Sequence, residues 1–329
     1  MKDSFLAGAH PFIKLLFLVF LMITTFFILS FLGVLLAVPL FHISLTDIFT
    51  LASEPPTAES VALLKYLQVI QSIALFVLPP IFFVLLSREK IARYFGFDRT
   101  VKGSLYVVLF FMAVALVPVN NYLSWWNQNL HLPESLAGLE RTLRTMESSA
   151  EELMKAFMKM PDFGSYLLNL FIIAVLAAVG EEMTFRGVIQ PLFIRWTRSP
   201  HAGIILTGAF FSFFHFQFFG FFPRWLLGIL FGYLFYWSRT LWVPVTAHFF
   251  NNALAVTVYY YAGAEAVEKH YDHIGVVHLA EMEAAGKSVI STQRPVLIAG
   301  VAVVILSMYI FYRNRVTGSG ETVSGSGEA

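Results

Sequence analysis

Residues 11–41 read PFIKLLFLVFLMITTFFILSFLGVLLAVPLF, an unbroken apolar run that carries one base, Lys14, and no acid. A helix needs about 20 mostly apolar residues to cross a bilayer core. The apolar stretch of a signal peptide is only about 7–15 residues long. The run from Pro11 to Phe41 is therefore read as a first membrane helix that stays attached. Seven further apolar stretches meet or approach the spanning length, at roughly 67–87, 104–123, 164–185, 202–222, 224–238, 241–262 and 295–312. The expected fold class is all-α, a polytopic bundle of about eight transmembrane helices. Pro79, Pro80 and Pro118 predict kinks in the second and third of these.

Composition agrees with this reading. Hydrophobic residues make up 57% of the 329 and charged residues 13%, against about 45–50% and about 25% in soluble domains. So much apolar surface needs lipid as its solvent. The formal net charge of +1 gives no sign of a nucleic-acid partner. The absence of cysteine excludes disulfides, thiolate metal sites and a cysteine nucleophile.

Loop charges suggest an orientation. Arg88, Lys90, Arg93, Arg99 and Lys102 follow the second span, Arg186, Arg195 and Arg198 follow the fourth, and Arg239, Arg313 and Arg315 follow the sixth and eighth. The alternate loops carry Asp47, Glu54 and Glu59, and Glu265, Glu268, Asp272, Glu281 and Glu283. The positive-inside rule then puts both termini in the cytoplasm, in keeping with an even helix count. Residues 131–163 read as an amphipathic helix on the outer face, and 317–329 as a disordered Gly/Ser/Glu-rich tail. Residues 1–316 form one transmembrane domain, and no internal repeat is visible.

Ionisable groups inside a bilayer are costly and point to function by default. The strongest cluster is Gly180-Glu181-Glu182-Met183-Thr184-Phe185-Arg186-Gly187, directly after an apolar run. On a helix Glu182 and Arg186 are one turn apart and can pair. Glu181, about 100° around, is left to face the bundle interior. A pair capping the cytoplasmic end of the fourth helix is the simpler alternative, although one arginine needs only one acid. Of nine histidines, only His215 and His248 fall inside apolar stretches, and His248 shares a helix face with Asn252. These groups suit a water-activating glutamate with imidazole and amide donors for an oxyanion. They equally suit a His₂-carboxylate metal site of Glu181, His215 and His248. No H-E-x-x-H signature is present. His215 lies deeper than Glu181 by helical rise unless the fourth helix runs on to about Trp196. His270, His273 and His278 are read as solvated loop residues, and Arg224 as snorkelling to the outer interface or serving structure.

Glu181-Glu182-x-x-x-Arg186, then Phe211-x-x-x-His215, then His248-x-x-x-Asn252, in this order on successive apolar stretches, resemble the CAAX protease and bacteriocin-processing (Abi) family of intramembrane proteases. The resemblance covers roughly 164–255, and Gly228 to Tyr233 and Leu241 to Pro244 are similar to its bacterial members. It implies Glu181 as the glutamate that activates water and His215 as a second catalytic position. It also implies His248 and Asn252 as the oxyanion pair, with Glu182 and Arg186 in support. The implied activity is an intramembrane endopeptidase acting on a membrane-associated protein or peptide in a bacterial cell membrane. Eukaryotic relatives trim prenylated proteins, but no prenyl-binding signature is visible here. The cofactor is left open between none and a divalent metal such as zinc, with the metal-free reading preferred. The alternatives are a non-catalytic immunity or abortive-infection binding protein and, less favoured, a proton-relay transporter.

Overall fold

The structure, a computed structural model, describes residues 6, 8–45, 57–263 and 289–316. Its helices are α1 (Pro11–Phe41), α2 (58–86), α3 (Gly103–Gln128), α4 (Ala137–Phe157), α5 (Phe163–Thr197), α6 (Pro200–Phe213), α7 (Phe221–Ser238), α8 (Trp242–Ala262) and α9 (Val289–Arg313). The acids at Asp47, Glu54 and within 265–283, the histidines 270, 273 and 278, and the tail 317–329 lie outside the described residues.

Each of the eight apolar stretches is helical over most of its length, and among the described residues six helices are long and apolar enough to cross a membrane unaided. The expectation for the fifth and sixth is corrected. The break falls at 214–217 rather than at Pro223. α6 has only 14 residues, and the chain then turns through Phe216, whose φ is 52°. Pro223 sits in the first turn of α7, where a missing N–H costs nothing. The fourth helix runs on to Thr197. The amphipathic segment appears as α4.

The outer faces carry the membrane signature. Phe20, Phe27 and Phe31 on α1 are 59%, 67% and 64% exposed, and Val296, Ile298 and Ile305 of α9 are exposed as well. Such a belt is stable only against lipid, so the chain is an integral membrane protein. Inside, one apolar cluster joins α1, α2, α5 and Phe95, and a second joins α3, α7, α8 and α9.

The proline pair in α2 is absorbed by a widened π turn, Ile73–Val77. Pro80 cannot donate to Phe76 O, and Thr184 Oγ1 of α5 donates to that carbonyl at 2.9 Å. Thr25 Oγ1 of α1 donates to Ala74 O in the same turn at 2.6 Å. In lipid such freed carbonyls need partners from other helices. α6 and α7 cross so closely that a Cβ on Gly228 would lie 2.7 Å from Gly208 Cα, as small residues permit between membrane helices.

α4 is latched to the end of α3. Glu140 accepts Leu132 N–H at 2.8 Å and Arg144 Nε at 2.8 Å. Arg144 also donates to Leu130 O at 3.0 Å, and its guanidinium lies 4.1 Å from the Phe219 ring centroid.

Two outcomes follow from this packing. Gly228→Ala forces backbone apart at the α6–α7 crossing and is expected to cost about 1–3 kcal/mol, read as a lower melting temperature in detergent. The Leu132 N–H and then Arg144 hold the Glu140 carboxyl well down, at about 2 against an ordinary 4.5. Its stabilisation is complete above pH 4.5 and is lost as pH falls through about 2. The difference in thermal stability between wild type and Glu140→Gln should therefore shrink across that window.

Candidate active site

The centre of the site is a cation buried in the bundle. The Arg186 and Glu182 side chains are both 0% exposed. Arg186 Nη1 donates to Glu182 Oε1 at 2.7 Å, and Nη2 donates to Gly228 O at 2.9 Å. The guanidinium also lies over the rings of Phe211 and Phe231, at 4.7 and 5.5 Å from their centroids. The simpler reading of the pair as a helix cap therefore fails, because α5 continues well past Arg186. Gln190, one turn further on, repeats the motif by donating to Gly232 O at 3.0 Å.

Glu182 has a second partner. His248 Nδ1 lies 2.9 Å from Glu182 Oε1. A carboxylate only accepts, so Nδ1 carries the proton. His248 is buried, and its ring stacks on Phe231 at 5.2 Å between centroids. Its Nε2 is directed to Glu181, whose Oε2 is 4.0 Å away. That oxygen has no hydrogen-bond partner among the described protein atoms, and the Glu181 side chain is 15% exposed. The two adjacent glutamates thus differ in environment: Glu182 holds a guanidinium and an imidazole through Oε1 and is fully buried, whereas Glu181 has no described hydrogen bond and is partly exposed.

His215 stands just beyond the end of α6, not within it as expected, because that helix stops at Phe213. Its Nδ1 is 2.9 Å from Phe211 O. A carbonyl only accepts, which leaves Nε2 as the free lone pair in the neutral ring. The Phe211 ring joins the two histidines, 5.0 Å from His215 and 6.0 Å from His248 between centroids, and α5 extends to Thr197, as a common depth requires. The turn carrying His215 is braced by Arg224, which donates to Gln217 Oε1 at 2.5 Å and Gly220 O at 3.3 Å.

Asn252 serves the backbone first. Its Nδ2 donates to Ile173 O at 2.8 Å, within the π turn Leu170–Leu176, and its Oδ1 accepts from Asn251 at 3.1 Å. One Asn252 N–H remains. α5 holds a second π turn, Met183–Ile189, so Glu181 and Glu182 sit between two widened turns. Such turns recur at functional sites.

Sequence reasoning undervalued Arg224 and missed Gln190 and Phe231. The spacing of Gln190 one turn after Arg186, matched by Gly232 one turn after Gly228, was the available signal. A three-ligand metal set is not assembled here. Among the described residues no group of three His, Asp or Glu side chains is arranged to hold a metal ion.

Residues 163–254 match the Rce1-like family, described as type II CAAX prenyl endopeptidase Rce1-like, which agrees with the family resemblance drawn from the motifs. The chain is also 29% identical over 113 residues to the uncharacterized protein YpbD of Bacillus subtilis (strain 168). That match covers 32% of this chain and 53% of the relative, so the chain spans about half the length of that protein. No solved structure matches.

The charge network generates a stability test. Glu182→Ala leaves Arg186 as an uncompensated buried cation and is expected to cost about 3–5 kcal/mol. Glu181→Gln removes no described hydrogen bond and should leave the melting temperature near that of wild type, both being read by thermal unfolding in detergent.

Proposed function

We propose, taking an Rce1-like core over residues 163–254 as the premise, that this protein hydrolyses a peptide bond in a membrane-associated protein or peptide, with Glu181 activating water. The observation that carries this reading is the unpartnered Glu181 Oε2, 4.0 Å from His248 Nε2. That gap is too long for a direct hydrogen bond and suits one water held between them.

In this reading Glu181 takes a proton from the water as its oxygen bonds to the scissile carbonyl carbon. His215 Nε2 accepts the other water hydrogen and fixes the attack. His248, protonated on both nitrogens, is stabilised by Glu182 and donates from Nε2 to the developing oxyanion. The remaining Asn252 N–H points the same demand at that oxygen. When the C–N bond breaks, Glu181 returns its proton to the leaving amine. Every step is carried by side chains of this chain, and no metal is given a role. The bacterial relative and the basic loops support a place in a bacterial cell membrane with both termini cytoplasmic.

Cleavage of a membrane-peptide library by the purified protein in detergent tests this. Glu181→Gln should lower the rate at least about 10²-fold, and His248→Ala by about 10²–10³-fold, with a chelator leaving wild type unchanged. Equal behaviour of wild type and Glu181→Gln would remove the protease reading in favour of a binding protein. Loss with chelator and recovery with zinc would replace the metal-free step with one on Glu181, His215 and His248.

A further inference from the structure

At one end of the bundle, away from Glu181, lies a second cavity of about 690 Å³. Lys14, Arg93, Arg99 and Arg195 line it, against a single acid, Glu89. None of these five takes part in a described ion pair. Its inner wall is apolar, formed by Phe83, Leu192 and Phe235. Gly187, Pro191 and Arg195 bring one face of α5 to it, directly beyond the Arg186 turn.

The level of the cavity is set by helix ends. Lys14 is in the first turn of α1, Ser87 follows the last residue of α2, and Arg195 is in the last turn of α5. Phe235 is in the last turn of α7. Helix ends of a membrane bundle sit at the level of lipid headgroups. Tyr94 adds a neutral donor: burial pushes its hydroxyl up to about 12, with Arg195 pulling it down and Glu89 pushing it up.

We infer that this cavity binds an anionic phospholipid, with the phosphate among the four bases and the proximal acyl carbons against the apolar wall. Four bases without described ion-pair partners, against one acid, give the cavity an excess of positive charge that suits an anionic ligand, although Arg99 also donates to Arg239 O at 3.5 Å. Headgroup depth, the apolar wall and a volume within the roughly 300–1,000 Å³ of small-molecule pockets favour a lipid over a free anion. Basic pockets between membrane helices recognise anionic headgroups in this way. This site is independent of the proposed protease chemistry.

The test is native mass spectrometry of the full chain released from nanodiscs of equal phosphatidylglycerol and phosphatidylcholine. Wild type should retain phosphatidylglycerol at least several-fold over phosphatidylcholine. Arg93→Gln/Arg195→Gln should bring that ratio close to one, whereas Arg93→Lys/Arg195→Lys should keep most of the preference. Arg313→Gln/Arg315→Gln, at the same end but outside the cavity, should leave it unchanged. Equal retention of both lipids by wild type would overturn the inference. So would a preference that survives Arg93→Gln/Arg195→Gln, or that falls equally in Arg313→Gln/Arg315→Gln. Displacement of the bound lipid by millimolar inorganic phosphate would also overturn it, by marking a site for a free anion.

Discussion

A guanidinium with no exposed surface, inside a bundle that lipid surrounds, is the constraint on which the rest of the structure depends. Such a charge persists only with a paired anion and partners for its donors. Glu182 and Gly228 O take Nη1 and Nη2, the rings of Phe211 and Phe231 lie beside the guanidinium, and these groups come from α5, α6 and α7; Nε alone has no partner among the described protein atoms. The glycine crossing of α6 and α7 adjoins the same network, since Gly228 both lies against Gly208 and offers its carbonyl to Arg186. Through Glu182 the demand extends to α8, where it fixes the His248 ring and aims Nε2 at Glu181. A charge pair that looks structural therefore orients the groups proposed to do the chemistry.

The backbone follows a related rule. Three π turns interrupt the helices, two of them in α5, and carbonyls in two of the three are taken by side chains from other helices. Thr25 and Thr184 close the turn in α2, and Asn252 closes the first turn of α5. With no water in the hydrocarbon to accept this task, each irregular turn ties two helices together. Asn252 thus locks α8 to α5 at the level of the site whatever its part in stabilising an oxyanion.

The two ends of the molecule divide their chemistry. Bases collect where α1 begins and α2, α5, α7 and α9 end, and there the second cavity opens. At the opposite end α4 is held by Glu140 and Arg144 beside the turn that carries Phe219. Glu181 lies between them, on α5 between its two π turns.

Much of this was legible in the sequence. Apolar runs of spanning length dictate helices in lipid because only intra-segment hydrogen bonding satisfies the backbone there. The i,i+4 spacings of Glu182 with Arg186 and His248 with Asn252 dictate shared faces. The sequence could not decide where the fifth span ends, because Phe213 to Phe222 is apolar on both sides of the turn and no proline or glycine marks 214–217. Nor could it decide which histidine nitrogen is free, that Asn252 bonds backbone, or that Gln190 and Phe231 join the site. Those are settled by which helices touch, and contact between segments distant in the chain leaves no periodic trace in the chain itself. Local spacing determined which side chains share a helix face; only tertiary packing decided which faces meet, because a buried charge selects its partners from whatever other helices bring within reach.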